Sequence, residues 1–255
     1  MFETGEPTAP AAGARGTSKR NRGPYGFEIS ESCQTCKLNR NGFYCDLPTA
    51  AFKDFSAIQS ISVYPEGALL FMEKEPSHGI YMLCQGRVKL SFSTCESKTL
   101  TLRIAKPGEV LGLTAVLTRS HYDATAETCR PCQIAYVGRE NFLQFVNRHP
   151  EAYPGIVKQL AARYDKACDQ LRTIASPKSA HKRLGKFLLE WAEETRLGDT
   201  VSMHLAHEEI GELIGMSREA VTRAFGRLRD QQLVVGRGAT LMIPDRGALE
   251  SFLAE

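Results

Sequence analysis

The sequence predicts an α+β chain built from three consecutive parts: an antiparallel β-roll, a long helix and a winged helix-turn-helix. Three observations carry this reading. Between residues 60 and 137, apolar residues alternate with period two and Gly or Pro punctuates the pattern, as in short half-buried strands. From Tyr153 to Ile174 the apolar spacing changes to fours and threes. Further on, two short amphipathic stretches flank Gly215-Met216-Ser217.

Composition sets the outer bounds. The chain has 255 residues, 42% hydrophobic and 24% charged, which fits one or two globular domains and excludes wholesale disorder or a collagen-like structure. It contains no apolar run of the roughly 20 residues a spanning helix needs. The start MFETGEPTAP lacks the basic and apolar regions of a signal peptide. A cytoplasmic protein with no membrane partner is therefore expected. The net charge of +3 is too small to argue for nucleic acid by itself. In a reducing cytosol the eight cysteines point to metal or redox chemistry before disulfides.

Residues 1–25 hold almost no large apolar side chain and read as a disordered tail. Residues 26–138 combine a cysteine-rich segment with the β-roll. There, Ile61–Val63, Leu69–Phe71, Gly79–Leu83, Arg87–Phe92 and Leu100–Ile104 read as strands, with Gly86 in a tight hairpin. Residues 139–175 read as a dimerisation helix. Its seam comprises Tyr153, Val157, Leu160, Tyr164, Ala167, Leu171 and Ile174. The seam is narrow and its flanks are polar, which favours a homodimer contact over burial in the helix's own domain. Ser176-Pro177 ends the helix.

Residues 176–255 read as a winged helix-turn-helix domain that binds DNA. A basic helix over 179–195 comes first, and its Lys182 is expected on a phosphate. Ile210, Leu213 and Ile214 form the apolar face of the next helix, and Val221, Phe225 and Leu228 that of the one after the turn. Ser217 is a natural N-cap. In such a motif the second helix enters the major groove and its first turns meet base edges. Here those turns carry Arg218, Glu219, Thr222 and Arg223. Arg can bond guanine in bidentate fashion, Glu can accept from cytosine N4, and Thr can touch a thymine methyl. A simple Glu219–Arg223 surface pair explains one i, i+4 spacing but not the turn, cap and wing together. The wing is the hairpin expected over Leu233–Ile243.

This order of parts resembles the CRP/FNR family of bacterial transcription regulators over roughly residues 30–255. The stretch from Gly79 to Leu90 resembles the family's cyclic-nucleotide-binding-type β-roll, and Ser217–Arg223 its recognition helix. The resemblance implies that Glu219 and Arg223 read the TGA core of an inverted-repeat site on double-stranded DNA. Thr222 stands where FNR-type members carry Ser, and Arg218 is like the CRP-type members. RNA polymerase is the implied protein partner.

The resemblance also frames the effector. Cyclic-nucleotide binders of the family carry a Gly-Glu-Leu turn and an Arg-Ser/Thr pair. Here Gly112-Leu113-Thr114 and Tyr122-Asp123 occupy those places. An Asp beside a phosphate would repel it, so no cyclic nucleotide is expected. FNR-like members hold a 4Fe–4S cluster with three N-terminal cysteines and one from the β-roll. By that resemblance the metal ligands are Cys33, Cys36, Cys45 and Cys132, with a longer gap before the third than in FNR. Oxygen, redox or nitric oxide sensing follows. Thiolate chemistry leaves other readings open: a structural zinc on Cys33, Cys36, Cys129 and Cys132, a dithiol redox switch, or no cofactor. Cys84, Cys95 and Cys168 read as buried or surface thiols. No nucleophile–base motif, phosphate loop or helical metal-binding His pair appears, so an enzyme is not expected. His207 opens the first helix of the motif, where a phosphate contact is expected.

Overall fold

The computed structural model describes Tyr25 and residues 42–254, apart from 95–98, 176–179, 196–199, 204 and 238–239. The expected disordered tail, Cys33, Cys36, Cys95 and His204 lie outside the described residues.

Two four-stranded antiparallel sheets make the β-roll. The first runs β1 (Ser60–Tyr64), β8 (Cys132–Gly138), β3 (Gly79–Gln85), β6 (Val110–Leu111). The second runs β2 (Leu69–Phe71), β7 (Thr125–Thr128), β4 (Val88–Ser93), β5 (Thr99–Ala105). Alternation along β8 divides the core in two. Cys132 and Ile134 point between the sheets with Leu83, Leu90 and Tyr122. Ala135 and Val137 point outward into a second core with Phe55, Phe142 and Ile156. Helices α1 (Thr49–Ala57) and α3 (Arg139–Arg148) cover that outer face.

The stretch 139–175 is two helices, not one. Arg139–Arg148 packs Phe142, Phe145 and Val146 into the outer core, so α3 belongs to the β-roll. His149 then leaves helical geometry ahead of Pro150 (φ −121°, ψ 72°), as residues before proline do. A 3-10 turn leads into α4 (Tyr153–Ala175). Leu160 packs against the outer core, whereas Val157, Tyr164 and Leu171 are 60%, 71% and 66% exposed. Val157, Tyr164 and Leu171 of the predicted seam therefore form an apolar stripe facing away from their own domain, whereas Leu160 does not.

The C-terminal domain comprises α5 (Ala180–Thr195), β9 (Thr200–Ser202), α6 (His207–Ile214), α7 (Arg218–Asp230), β10 (Val235–Arg237), β11 (Thr240–Met242) and α8 (Arg246–Ala254). The wing is a three-stranded sheet, because β9 pairs with β11. Domain and β-roll are docked. Glu212 accepts the Thr101 N–H (2.6 Å), and Glu209 meets Lys89 Nζ (2.9 Å). The Arg87 guanidinium lies over the Trp191 ring at 4.6 Å. Among the described residues no helix is long and apolar enough to cross a membrane.

Candidate nucleic-acid interface and sensor residues

The turn between α6 and α7 follows from three residues. Gly215 ends α6 in the left-handed region (φ 67°), which suits glycine. Gly211 carries no Cβ because the Met216 carbonyl oxygen occupies that space. Ser217 caps α7, its hydroxyl accepting the Ala220 N–H at 3.2 Å. Arg183 of α5 braces the turn from outside by donating to the Gly215 carbonyl at 3.0 Å.

Helix α7 buries Val221, Ala224, Phe225 and Leu228. This leaves Ser217, Arg218, Glu219, Thr222 and Arg223 exposed on one side. Among the described residues, Glu219 and Arg223 do not pair. The Glu219 carboxyl is instead held below its usual range by its own backbone N–H, by Ser217 and by the two arginines. A fixed anion at the helix start beside an open guanidinium is suited to hydrogen-bond donors and acceptors on base edges. Lys182 is half-exposed on α5, outside this face.

Two details depart from expectation. The Thr222 hydroxyl donates to the Arg218 carbonyl (2.9 Å) and faces His207 Nδ1 (2.9 Å), so its methyl group is what remains for DNA. His207 stacks on Phe225, with centroids 4.9 Å apart and planes at 18°. It pins α6 to α7 rather than reaching outward to a phosphate. Burial and the nearby Arg229 and Arg218 lower its pKa and favour the neutral ring that this role needs.

Where the resemblance places the phosphate-binding pair, Tyr122 turns into the inner core and Asp123 lines the cavity beside α4. Tyr122 is 2% exposed and stacks on Phe71 at 4.0 Å. Its hydroxyl donates to the Gly79 carbonyl (2.8 Å) and accepts the N–H groups of His78 and Gly79. The ring lies 2.8 Å from where a Cβ on Gly112 would stand, so that glycine makes room for it.

Cys45 and Cys132 are not brought together. Cys45 ends a 3-10 turn (Phe43–Cys45) that packs against the outer core. Cys132 lies in the inner core, behind the sheet, and its thiol donates to the Arg87 carbonyl at 3.3 Å. Burial pushes the Cys132 thiol up to about 11 and that of Cys129 up to about 12, which keeps both protonated and inert. The β-roll thiol on the face of Cys45 is Cys84. It is the extra residue of a β-bulge, since Leu83 pairs with Ile134 and Gln85 with the adjacent Gln133. It continues the alternation of Ile80 and Met82 along β3, which places it on the outer-core face. Among the described residues no group of three or more His, Cys, Asp or Glu is gathered for a metal.

Comparison with known proteins matches both halves. Residues 61–149 match the cyclic nucleotide-binding domain family, and residues 182–252 the Crp-like helix-turn-helix domain. The chain belongs to the CRP/FNR family of transcription regulators. Its family relatives include the cAMP-activated global transcriptional regulator CRP of Haemophilus influenzae. That protein is 26% identical over 184 residues, covering 71% of this chain and 82% of the relative. The global nitrogen regulator of Synechococcus elongatus is 28% identical over 182 residues, 68% of this chain and 81% of that one. In fold it is similar to FixK2 of Bradyrhizobium japonicum, with a TM-score of 0.68 and 19% identity over 76% of this chain and 96% of that chain. As a CRP/FNR-family member the chain is a DNA-binding regulator and not an enzyme.

Proposed function

We propose that this regulator binds an inverted-repeat DNA site as a homodimer, reading each half-site with Arg218, Glu219, Thr222 and Arg223 and recruiting RNA polymerase as its partner. The exposed, unpaired Glu219 and Arg223 on α7 carry the reading. Lys182 adds a backbone contact. The exposed stripe Val157, Tyr164 and Leu171 suits a two-fold helix seam that would hold the two recognition helices one turn of DNA apart.

Its signal is oxygen or another redox input, as in the FNR-like branch, rather than a cyclic nucleotide. Tyr122 and Asp123 occupy the phosphate place, which argues against the ligand named for the CRP relatives. A 4Fe–4S cluster fits thiolates from Cys33, Cys36 and Cys45 together with a β-roll cysteine. The fourth ligand best supported is Cys84, which shares the outer core with Cys45; the inner-core Cys132 does not suit it. When bound, such a cluster supplies oxygen-labile redox chemistry. The residues of this chain transmit its state: Phe43 sits between Cys45 and the start of α4, so a change in the cysteine segment bears on the dimer helix.

Anaerobic purification with iron and sulfide analysis tests this. Four iron and four sulfide per chain are expected. Cys84→Ser should lose them together with air-sensitive DNA affinity, while Cys132→Ser keeps both. Stoichiometric zinc without iron, and DNA affinity indifferent to air, would establish a structural zinc instead. Iron lost in Cys132→Ser but retained in Cys84→Ser would restore Cys132 as the ligand.

A further inference from the structure

We infer that Arg229, in the last turn of α7, is a positioning residue for DNA binding: it fixes the wing against the recognition helix, so that the wing meets the DNA backbone outside the bases that α7 reads. The inference rests on α7 as the reading helix. The wing hangs from α7 by a short connection. The chain reverses at Gln232, which takes a left-handed φ of 56° although it is not glycine. The Leu233 N–H then returns to the Leu228 carbonyl at 2.9 Å. Strand β10 follows at once, with three residues and only β11 as a neighbour. An edge strand of this kind presents a row of backbone groups that no other strand pairs. In its middle stands Gly236 with φ 102°, a conformation that side chains rarely adopt. Its partner Leu241 is buried in the domain core, whereas the neighbouring pair Val235 and Met242 are both 44% exposed. Val235 and Gly236 therefore contribute little burial that could set the angle of the wing.

Arg229 supplies the fixing contact. Its Nε donates to the Gly236 carbonyl at 3.2 Å. Its guanidinium carbon lies 5.3 Å from the centroid of the Phe225 ring, within cation–π range. Phe225 is buried, and His207 of α6 stacks on the same ring. Helix α6, helix α7 and the wing are thus tied together through one aromatic side chain. A guanidinium is planar and donates from a rigid fork, so its place over Phe225 and its bond to Gly236 fix each other's direction. A lysine offers only a terminal ammonium on a flexible stem and cannot reproduce that pair of contacts.

Distance along the helix gives the wing its place on DNA. At the usual helical rise, Arg229 stands roughly 15 Å along α7 from Glu219. The major groove is about 12 Å wide. The wing therefore leaves α7 beyond the groove that the Arg218–Arg223 turns enter, where phosphates and sugars rather than base edges are within reach. Contacts there are sequence-independent, so a wing held in one place adds affinity without altering which bases are read.

The full-length protein is used to select an inverted-repeat DNA from a random pool, and hydroxyl-radical footprints and affinities are measured on that DNA. Arg229→Met removes the donor and keeps an apolar stem over Phe225; Arg229→Lys keeps the charge. Both should lose protection of the sugars outside each half-site and retain it within. Both should bind about fivefold more weakly to selected and scrambled DNA alike, the size of one or two lost hydrogen bonds. Their Tm should stay within about 2 °C of the parent. Gly236→Ala displaces the acceptor instead of the donor and should lose the same outer protection, and the double variant Arg229→Met/Gly236→Ala should be no weaker than the weaker single one. Arg223→Ala is the reference and should lose discrimination between the two DNAs while keeping the outer protection. Outer protection and affinity restored by Arg229→Lys would make residue 229 a direct phosphate contact and overturn the proposal. Full outer protection in Arg229→Met, or protection lost evenly inside and outside together with a fallen Tm, would also overturn it. Undiminished discrimination in Arg223→Ala would remove the reading by α7 and this inference with it, whereas failure of the Arg229 variants alone leaves that reading standing.

Discussion

Phe43 closes on Gly155. The Cβ of Phe43 lies 2.7 Å from the point a Cβ on Gly155 would occupy, so the first turn of α4 accepts the cysteine-bearing 3-10 turn only because residue 155 has no side chain. Two residues after Phe43 comes Cys45, and two residues after Gly155 comes Val157, the first strongly exposed position of the α4 stripe. The cysteine-bearing turn and α4 thus share one contact.

Gly155→Ala tests that contact. Alanine favours a helix by about 1 kcal/mol over glycine, but overpacking typically costs about 1–3 kcal/mol. The collision is with a Cβ rather than the far end of a flexible chain, so Phe43 must withdraw. Alkylation of Cys45 followed by mass spectrometry should speed up severalfold while that of Cys168 stays constant, and the Tm should fall or hold. A higher Tm with unchanged Cys45 reactivity would show that the two elements do not press on each other.

The two kinds of DNA contact should separate by substitution. Arg223→Ala is expected to cost about 1–3 kcal/mol on a cognate site and much less on scrambled DNA, because its guanidinium is free for a base edge. Lys182→Ala should weaken both DNAs alike and flatten the salt dependence by about one ion. Competition binding on the two DNAs at two salt concentrations gives both quantities. Equal losses on both DNAs for Arg223→Ala would make it a backbone contact.

Much of this architecture was legible in the residues. Period-two runs such as Val88, Leu90 and Phe92 became strands, and Ser217 caps the helix expected of it. Shorter or less periodic elements were not. Helix α2 (Leu113–Thr118) spans only six residues behind a left-handed Gly112, and β9 only three that find a partner across the sequence at β11. Helix α8 does carry a local signal: Asp245 after Pro244 caps it through the Ala248 N–H (2.9 Å), ahead of Leu249 and Phe252. The site was legible where function sits on one helix, as on α7. It was not where function depends on which face of a sheet a residue occupies. Cys84 and Cys132 both sit in strands, Cys84 on the face of Ile80 and Met82 that meets Cys45 and Cys132 on the opposite face with Ile134, and which face meets the cysteine segment is settled only by the tertiary packing.

The α4 stripe should set the oligomeric state. Val157→Glu or Leu171→Glu places a carboxylate on a surface that is already exposed in one chain, so folding of the protomer should be nearly unaffected. In a helix seam the same change buries two like charges near the two-fold axis. Light scattering should find a dimer for the parent protein and a monomer for either variant, with affinity for an inverted repeat reduced at least about a hundredfold. A parent protein that stays monomeric on DNA would remove the seam from the account.

Acidification should act on the two domains with opposite sign. His207 is lowered below its ordinary value by burial first and by Arg229 and Arg218 after that. The unfolded chain therefore takes up this proton before the folded one does. The stability that His207 lends the α6–α7 pair is fully present above the ordinary histidine value of about 6.5 and is lost as pH falls below it. His149 is the reverse case. Its ring nitrogens face Asp54 at 2.9 Å and Glu151 at 3.1 Å, and these carboxylates raise its pKa, Asp54 contributing most. Its contribution ties α1 to the turn before α4, is fully present below about 6.5, and is lost as pH rises through the raised value. Hydrogen exchange, corrected for the intrinsic pH dependence and followed from pH 7.5 to 5.5, should show α6 and α7 loosening while α1 and the 149–152 turn tighten. His207→Asn keeps a donor for Thr222 and should remove the first effect alone; His149→Gln keeps a donor for Asp54 and should remove the second alone. Parallel loosening of both regions, unchanged by either substitution, would place the pH response elsewhere in the chain.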